Sequence, residues 1–138
     1  MKPPRHTAVA ILRVDGAFVL QHRDDKPSIP LPGHWSLFGG EIDPGENAHQ
    51  AIRREIHEEL GLLRDDWELL WRVHHHNPER GYDVHVNVFT ADVTAEWPTH
   101  VLMEGQGLGL FTIDTLPVPM PPITIAFLGR YSSSRRTR

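Results

Sequence analysis

Apolar residues dominate two β-rich runs, 7–14 (TAVAILRV) and 17–23 (AFVLQHR), joined by Asp15-Gly16, a tight-hairpin pair. The Pro-rich stretch Asp24 to His34 cannot extend either run, so it forms a loop. Trp35 to Phe38 is a short strand delivering Gly39-Gly40. After Pro44-Gly45 the apolar period becomes helical, and the helix stops at Gly61, a residue that tolerates positive φ at a C-terminal cap. Trp67 to His76 and Tyr82 to Val93 are strands around the turn Asn77 to Gly81. In the second of them Val84, Val86 and Val88 alternate with His85, Asn87 and Phe89. A last strand covers Leu108 to Thr112. A second Pro-rich loop then leads to a helix from about Pro122 to Tyr131, with Ile123, Phe127 and Arg130 on one face and its apolar part on the sheet. The order predicts an α/β protein with a mixed, partly antiparallel sheet between helices.

The central helix breaks the usual pattern. At about 100° per residue, with Glu55 at zero, Ala48, Ala51, Ile52 and Ile56 fall within roughly −40° to +100°, the inward face. Glu55 and Glu59 lie inside that arc, Glu58 sits at its edge, and Gln50, Arg53 and His57 occupy the opposite side. Two carboxylates roughly 6 Å apart repel by about 3 kcal/mol at an effective dielectric near 20. Proton sharing or a divalent cation would offset that, and an oxygen-only donor set suits Mg²⁺ or Mn²⁺ better than Zn²⁺. The competing arrangement is a rolled helix whose acids form a solvated strip with Arg54.

Gly40, five residues, Glu46, seven residues, then Arg54-Glu55-Ile56-x-Glu58-Glu59-x-Gly61-Leu62 resembles the Nudix box at every defined position, G-x5-E-x7-R-E-U-x-E-E-x-G-U with U aliphatic. One departure lies upstream, where many family members read PGG and this chain reads Phe38-Gly39-Gly40. The resemblance implies the α/β/α sandwich of the Nudix fold. It also implies metal ligands: Glu55 and Glu59 as principal ones, Glu58 as a further ligand or the residue that orients or deprotonates water, and the Gly39 carbonyl. Glu104, an acid in a Gly-flanked loop, resembles the remote glutamate that many members add. Arg54 looks like the box arginine that steadies a glutamate, and it stands four residues before Glu58, the reach of an i,i+4 pair. Arg23 is a candidate contact for substrate phosphates or an ordinary strand-end arginine, and Gln106 is a weaker substrate contact. Trp35 either stacks on a base or packs in the core. Glu41, Asp43 and Glu46 are expected to cap the helix start, with Glu46 supporting the loop.

Composition narrows the picture further. The 138 residues fit one domain, 1–138, with a frayed basic tail from about 132, and a net charge of −4 gives no general nucleic-acid surface. Without cysteine there is no disulfide or thiolate chemistry, which fits a reducing cytoplasm. The N-terminal apolar run, closed by Arg13 and Asp15, is too short for a signal peptide or a membrane span. His74, His75 and His76 invite a zinc reading, but neighbours in a strand point to opposite faces, so at most two could share a site. Pro78 resembles a marker of ADP-ribose-cleaving Nudix enzymes and equally suits a hairpin turn.

The expected activity is Mg²⁺- or Mn²⁺-dependent hydrolysis of a phosphoric anhydride in a nucleoside diphosphate linked to another group, releasing a nucleoside monophosphate. The alternative is a non-catalytic nucleotide-binding or regulatory module of the same fold. The expected partner is a small nucleotide, with no nucleic-acid polymer and no membrane; many relatives pair as homodimers, and the sequence leaves the oligomeric state open.

Overall fold

A computed structural model describes residues 2–29, 31–78, 81–103 and 107–136, with residues 135 and 136 described for their backbone only. The elements are β1 (Arg5–Val14), β2 (Ala17–His22), β3 (Trp35–Ser36), β4 (Phe38–Glu41), α1 (Ala48–Leu60), β5 (Glu68–Asn77), β6 (Tyr82–Asp92), a 3₁₀ turn (Trp97–Thr99), β7 (Gly107–Phe111) and α2 (Pro122–Arg136).

The sheet runs β3-β2-β1-β6-β5, with β4 also on β1 and β7 also on β2. Only β1 and β6 pair in parallel, so the sheet is mixed, as the element order predicted. One edge of β1 forks. Its first half pairs with β4, from Thr7 opposite Glu41 to Ala10 opposite Phe38, and its second half pairs with β2, from Leu12 opposite Val19 to Val14 opposite Ala17.

The period-2 alternation in β1 divides two cores. Ala8, Ala10 and Leu12 face α1 with Phe89, and Ile52, Ile56 and Leu60 close that layer. Ile11 turns the other way, with Leu20 and Val88, against Phe127, Leu128 and Tyr131 of α2. Ile52, Ile56, Leu60 and Leu128 are fully buried. Each such side chain contributes about 1.5–3 kcal/mol relative to exposure, so α1 is fixed mainly by its apolar stripe.

Three boundaries differ from expectation. Trp35 to Phe38 is not one strand: Trp35 and Ser36 pair with β2, the chain turns at Leu37, and Phe38 starts a separate pairing with β1. Helix α2 continues to Arg136, past the expected end at Tyr131 and through the start of the tail expected to fray. The 3₁₀ turn at Trp97 was not foreseen; Pro98 at its start supplies a preset φ. Glu104 and Gln106 lie outside the described residues. No helix of the described residues is long and apolar enough to cross a membrane.

Candidate active site

Helix α1 begins one residue after the acids expected to cap it. Asn47 is the N-cap: its side chain accepts from the Gln50 amide at 2.8 Å, and the Gln50 side chain accepts from the Asn47 amide at 2.8 Å. This is a reciprocal capping box. Asn-x-x-Gln at 47–50 was the sequence signal for it, overshadowed by the neighbouring carboxylates. Glu41, Asp43 and Glu46 therefore do not cap α1. Glu46 instead accepts from the Asp43 amide at 2.9 Å and braces the turn before the helix. At the other end Gly61 takes the left-handed conformation, φ 69°, and donates to the His57 carbonyl, as expected.

Arg54 gathers the acids. Its guanidinium donates to Glu46 at 2.6 and 3.1 Å, to Glu55 at 2.9 Å and to the Glu41 carbonyl at 3.0 Å. The i,i+4 contact to Glu58 is longer, 3.4 Å, so the expected Arg54–Glu58 pair is the weakest of the set, and Glu46 is the main partner. The Arg54 hydrogen bonds hold the Glu46 carboxyl below the usual glutamate range. In return Glu46 first, and then Glu55, raise the arginine well above its ordinary value against the opposing cost of burial. Glu46 sits eight residues before Arg54, a distance that helical periodicity does not register.

The two glycines have different reasons. Gly39 has φ +146°, and a Cβ there would lie 2.2 Å from the Ala8 carbonyl oxygen, so strand β1 itself requires glycine. At Gly40 a Cβ would fall 2.6 Å from Glu55 Oε1. The missing side chain is the space that the Glu55 carboxylate fills. The helix thus lays Glu55 against β4, across the strand pair formed with β1.

The three box glutamates are graded by depth. Glu59 is 3% exposed, and the Glu55 and Glu58 side chains are 15% and 53% exposed. The helical projection put Glu55 and Glu59 inside the apolar arc and Glu58 at its edge, and the rolled-helix alternative fails for Glu55 and Glu59. A carboxylate buried as deeply as Glu59 is costly unless its charge is offset. Among the described residues no three carboxylates or imidazoles already converge on one point as a metal cage. The donor chemistry nonetheless fits a hard divalent cation: oxygen atoms only, a carboxylate seated in the Gly40 cradle, and a buried one four residues on. The backbone after the 3₁₀ turn closes on this end of α1, where Val101 donates to the Leu60 carbonyl and Met103 to the Glu59 carbonyl, both at 2.9 Å. Glu104 is the next residue in sequence.

The remaining candidates are placed as follows. Arg23 is half-buried just beyond β2, and its amide donates to the His34 carbonyl at 2.9 Å, closing the 24–33 loop. Trp35 stacks on His22 at 4.4 Å between ring centres and meets Phe111 edge-on at 5.1 Å. Its indole has a packing role in the second core. His74 and His76 both reach Asp83, at 3.1 and 2.7 Å, and form no metal cluster among the described residues.

A two-core mixed sheet with a glutamate-bearing helix laid across its forked strand defines a Nudix-type fold and site. The family model for the NUDIX domain matches residues 2–124, and the chain belongs to that family. The MutT NUDIX hydrolase from Burkholderia pseudomallei is similar at 30% identity over 91% of this chain and 96% of that one, with a TM-score of 0.77. A MutT protein from Methanosarcina mazei Go1 shares the fold at 22% identity, with coverage of 97% and 96% and a TM-score of 0.81. So does the NUDIX domain of Shewanella oneidensis NrtR complexed with ADP ribose, at 20% identity, coverage of 97% and 90% and a TM-score of 0.77. Nucleoside triphosphatase NudI from Escherichia coli is 45% identical over 51 residues, 37% of this chain, and the match spans 36% of the relative's length.

Proposed function

We propose that the chain hydrolyses a phosphoric anhydride in a nucleoside diphosphate linked to another group, using Mg²⁺ or Mn²⁺, and releases a nucleoside monophosphate. The observation that carries this is the Glu55 carboxylate seated in the space left by Gly40, one turn from the buried Glu59. An apolar side chain at either position would serve packing better, so the acids are there for their charge.

Glu55 and Glu59 would hold the cation, with the Gly39 carbonyl and Glu104 completing the set. When bound, the cation neutralises the phosphate oxygens and supplies Lewis acidity at the scissile phosphorus. Arg54 keeps Glu55 pointed at β4 while Glu46 anchors the guanidinium from the opposite side. Glu58 is the most exposed of the three and its contact to Arg54 is longer than that of Glu55, so the role assigned to it is to orient water and take its proton. Arg23 is assigned to the substrate's phosphates, Gln106 to a further substrate contact, and Trp35 to stacking on the base. The relatives' names point to nucleoside triphosphates and ADP-ribose as the first substrates to examine.

The test is a panel of nucleoside triphosphates, nucleotide sugars, ADP-ribose and dinucleoside polyphosphates, each with Mg²⁺, with Mn²⁺ or with chelator, and analysed by product. A nucleoside monophosphate formed only with metal is the expected result. Calorimetric heat of nucleotide binding with no product under any condition would instead mark a non-catalytic binding module.

A further inference from the structure

The α1 side of the sheet carries a second polar surface, beyond the helix N-terminus and away from Glu55 and Glu59. His6 of β1, His85 of β6 and His74 of β5 stack across three adjacent strands, with ring centres 4.9 and 4.7 Å apart and planes within 13° and 2°. They line a cavity of about 310 Å³ together with Arg72 and Asn87. A larger one of about 540 Å³, walled on its far side by the turn of residues 42–48, shares His6, Arg72 and Asn87 with it. The two form one groove.

Stacked imidazoles on neighbouring strands are ordinary cross-strand pairs, but the surrounding hydrogen bonds show more. Asn87 donates to the Thr7 carbonyl at 3.1 Å and accepts from Arg72 Nε at 3.3 Å, which fixes the arginine. Among the described residues the terminal amino groups of Arg72 and the ring nitrogens of His6 and His85 have no hydrogen-bond partner. Among the described residues no carboxylate lines the smaller cavity, while Asp43 and Glu46 line the larger. The charged groups around it are largely matched to one another. Asp83 serves His74 and His76, Glu41 pairs with Arg5, and Asp43 and Glu46 are held by Arg54. His75 points to the other face. Arg72, His6 and His85 are what remain, all donors and all cationic when protonated.

We propose that this groove binds a tetrahedral dianion, a phosphate group either free or as a monoester of a small molecule, with Arg72, His6 and His85 donating to it. Arginine suits such oxygens because its fork can meet two of them at once. Imidazoliums less than 5 Å apart repel, and an anion beside them relieves the repulsion, so binding and protonation of the stack strengthen each other. The site is separate from the hydrolytic one: Glu55 and Glu59 line neither cavity, and it needs no divalent ion.

The test follows histidine side-chain NMR signals of the full chain in chelator. Sulfate is the first probe, since its charge is constant from near pH 6 to near pH 8. Saturable shifts of His6, His74 and His85 are expected near pH 6. Arg72→Gln should weaken binding roughly tenfold with an unchanged amide spectrum. Glu59→Gln should leave the titration as it is, which separates this proposal from the hydrolase assignment. Parallel titrations with inorganic phosphate and ribose 5-phosphate distinguish the sources, tighter binding of the latter indicating a monoester. No saturable shift near pH 6, equal affinity in Arg72→Gln, or loss of the shifts in Glu59→Gln would each overturn it.

Discussion

At the β4 end of α1 four carboxylates, Asp43, Glu46, Glu55 and Glu58, crowd one guanidinium, whereas on the outer strands of the same sheet face His74 and His76 share Asp83 beside an open imidazole stack. Carboxylates keep their charge throughout the neutral range, so the first cluster needs a permanent cation and exact space, and Arg54 and Gly40 supply them. Imidazoles can shed their charge, so the second cluster tolerates close stacking without a counter-ion for each ring. Asp83 is held below its ordinary value chiefly by His76 and then by His74, while among the described residues His6 and His85 have no carboxylate of their own. Fixed charge enforces tight geometry, and titratable charge leaves a groove open to an anion.

The sharpest way to break the acidic half is Glu59→Gln. The amide keeps the volume, so the fold should persist and the melting temperature should stay within a few degrees of that of the unaltered chain. Turnover of the best substrate should fall by a factor on the order of 10³, as expected for loss of a principal group at the reacting phosphate. Turnover close to that of the unaltered chain would remove Glu59 from the site.

Next in size is a pair of neighbouring substitutions that separate geometry from folding. Gly40→Ala puts a methyl where the Glu55 carboxylate sits, 2.6 Å from Oε1. The carboxylate must move by about an ångström, which costs activity roughly 100-fold at unchanged melting temperature. Gly39→Ala meets backbone instead, 2.2 Å from the Ala8 carbonyl, at a φ of +146°. It should unfold the β1–β4 pairing, lowering the melting temperature before any kinetic effect can be measured. If both variants lose stability alike, the cradle is merely packing.

These positions also mark how far the sequence could be read. That Glu55 and Glu59 lie inward and Glu58 at the margin followed from 100° geometry, because helix period alone sets it. The paired strands, the Gly61 stop and the packing face of α2 followed from local pattern in the same way. The grip of Glu46 on Arg54 did not, because it depends on how the 43–46 turn folds back over the helix, and the reach of an i,i+4 pair pointed to Glu58. The split at Leu37 depends on two different partners for adjacent residues, β2 and then β1, which no local run encodes. The His6–His85–His74 stack was hidden because its members lie on three strands, and only their register aligns the rings.

The smallest effect concerns the anchor of the acidic cluster. Glu46 has its carboxyl held below the ordinary range, first by the Arg54 hydrogen bond and then by the Asp43 amide. A depressed carboxyl contributes stability that is fully present above its unfolded value, about pH 4.3, and disappears as pH falls through the folded one. Glu46→Gln lacks that contribution at every pH. The melting temperature of the unaltered chain should therefore exceed that of Glu46→Gln by a few degrees at neutral pH, and the two curves should converge only below about pH 4. Convergence already near pH 6 would mean that histidines, not this glutamate, control the difference, and the separation of fixed from titratable charge would fail.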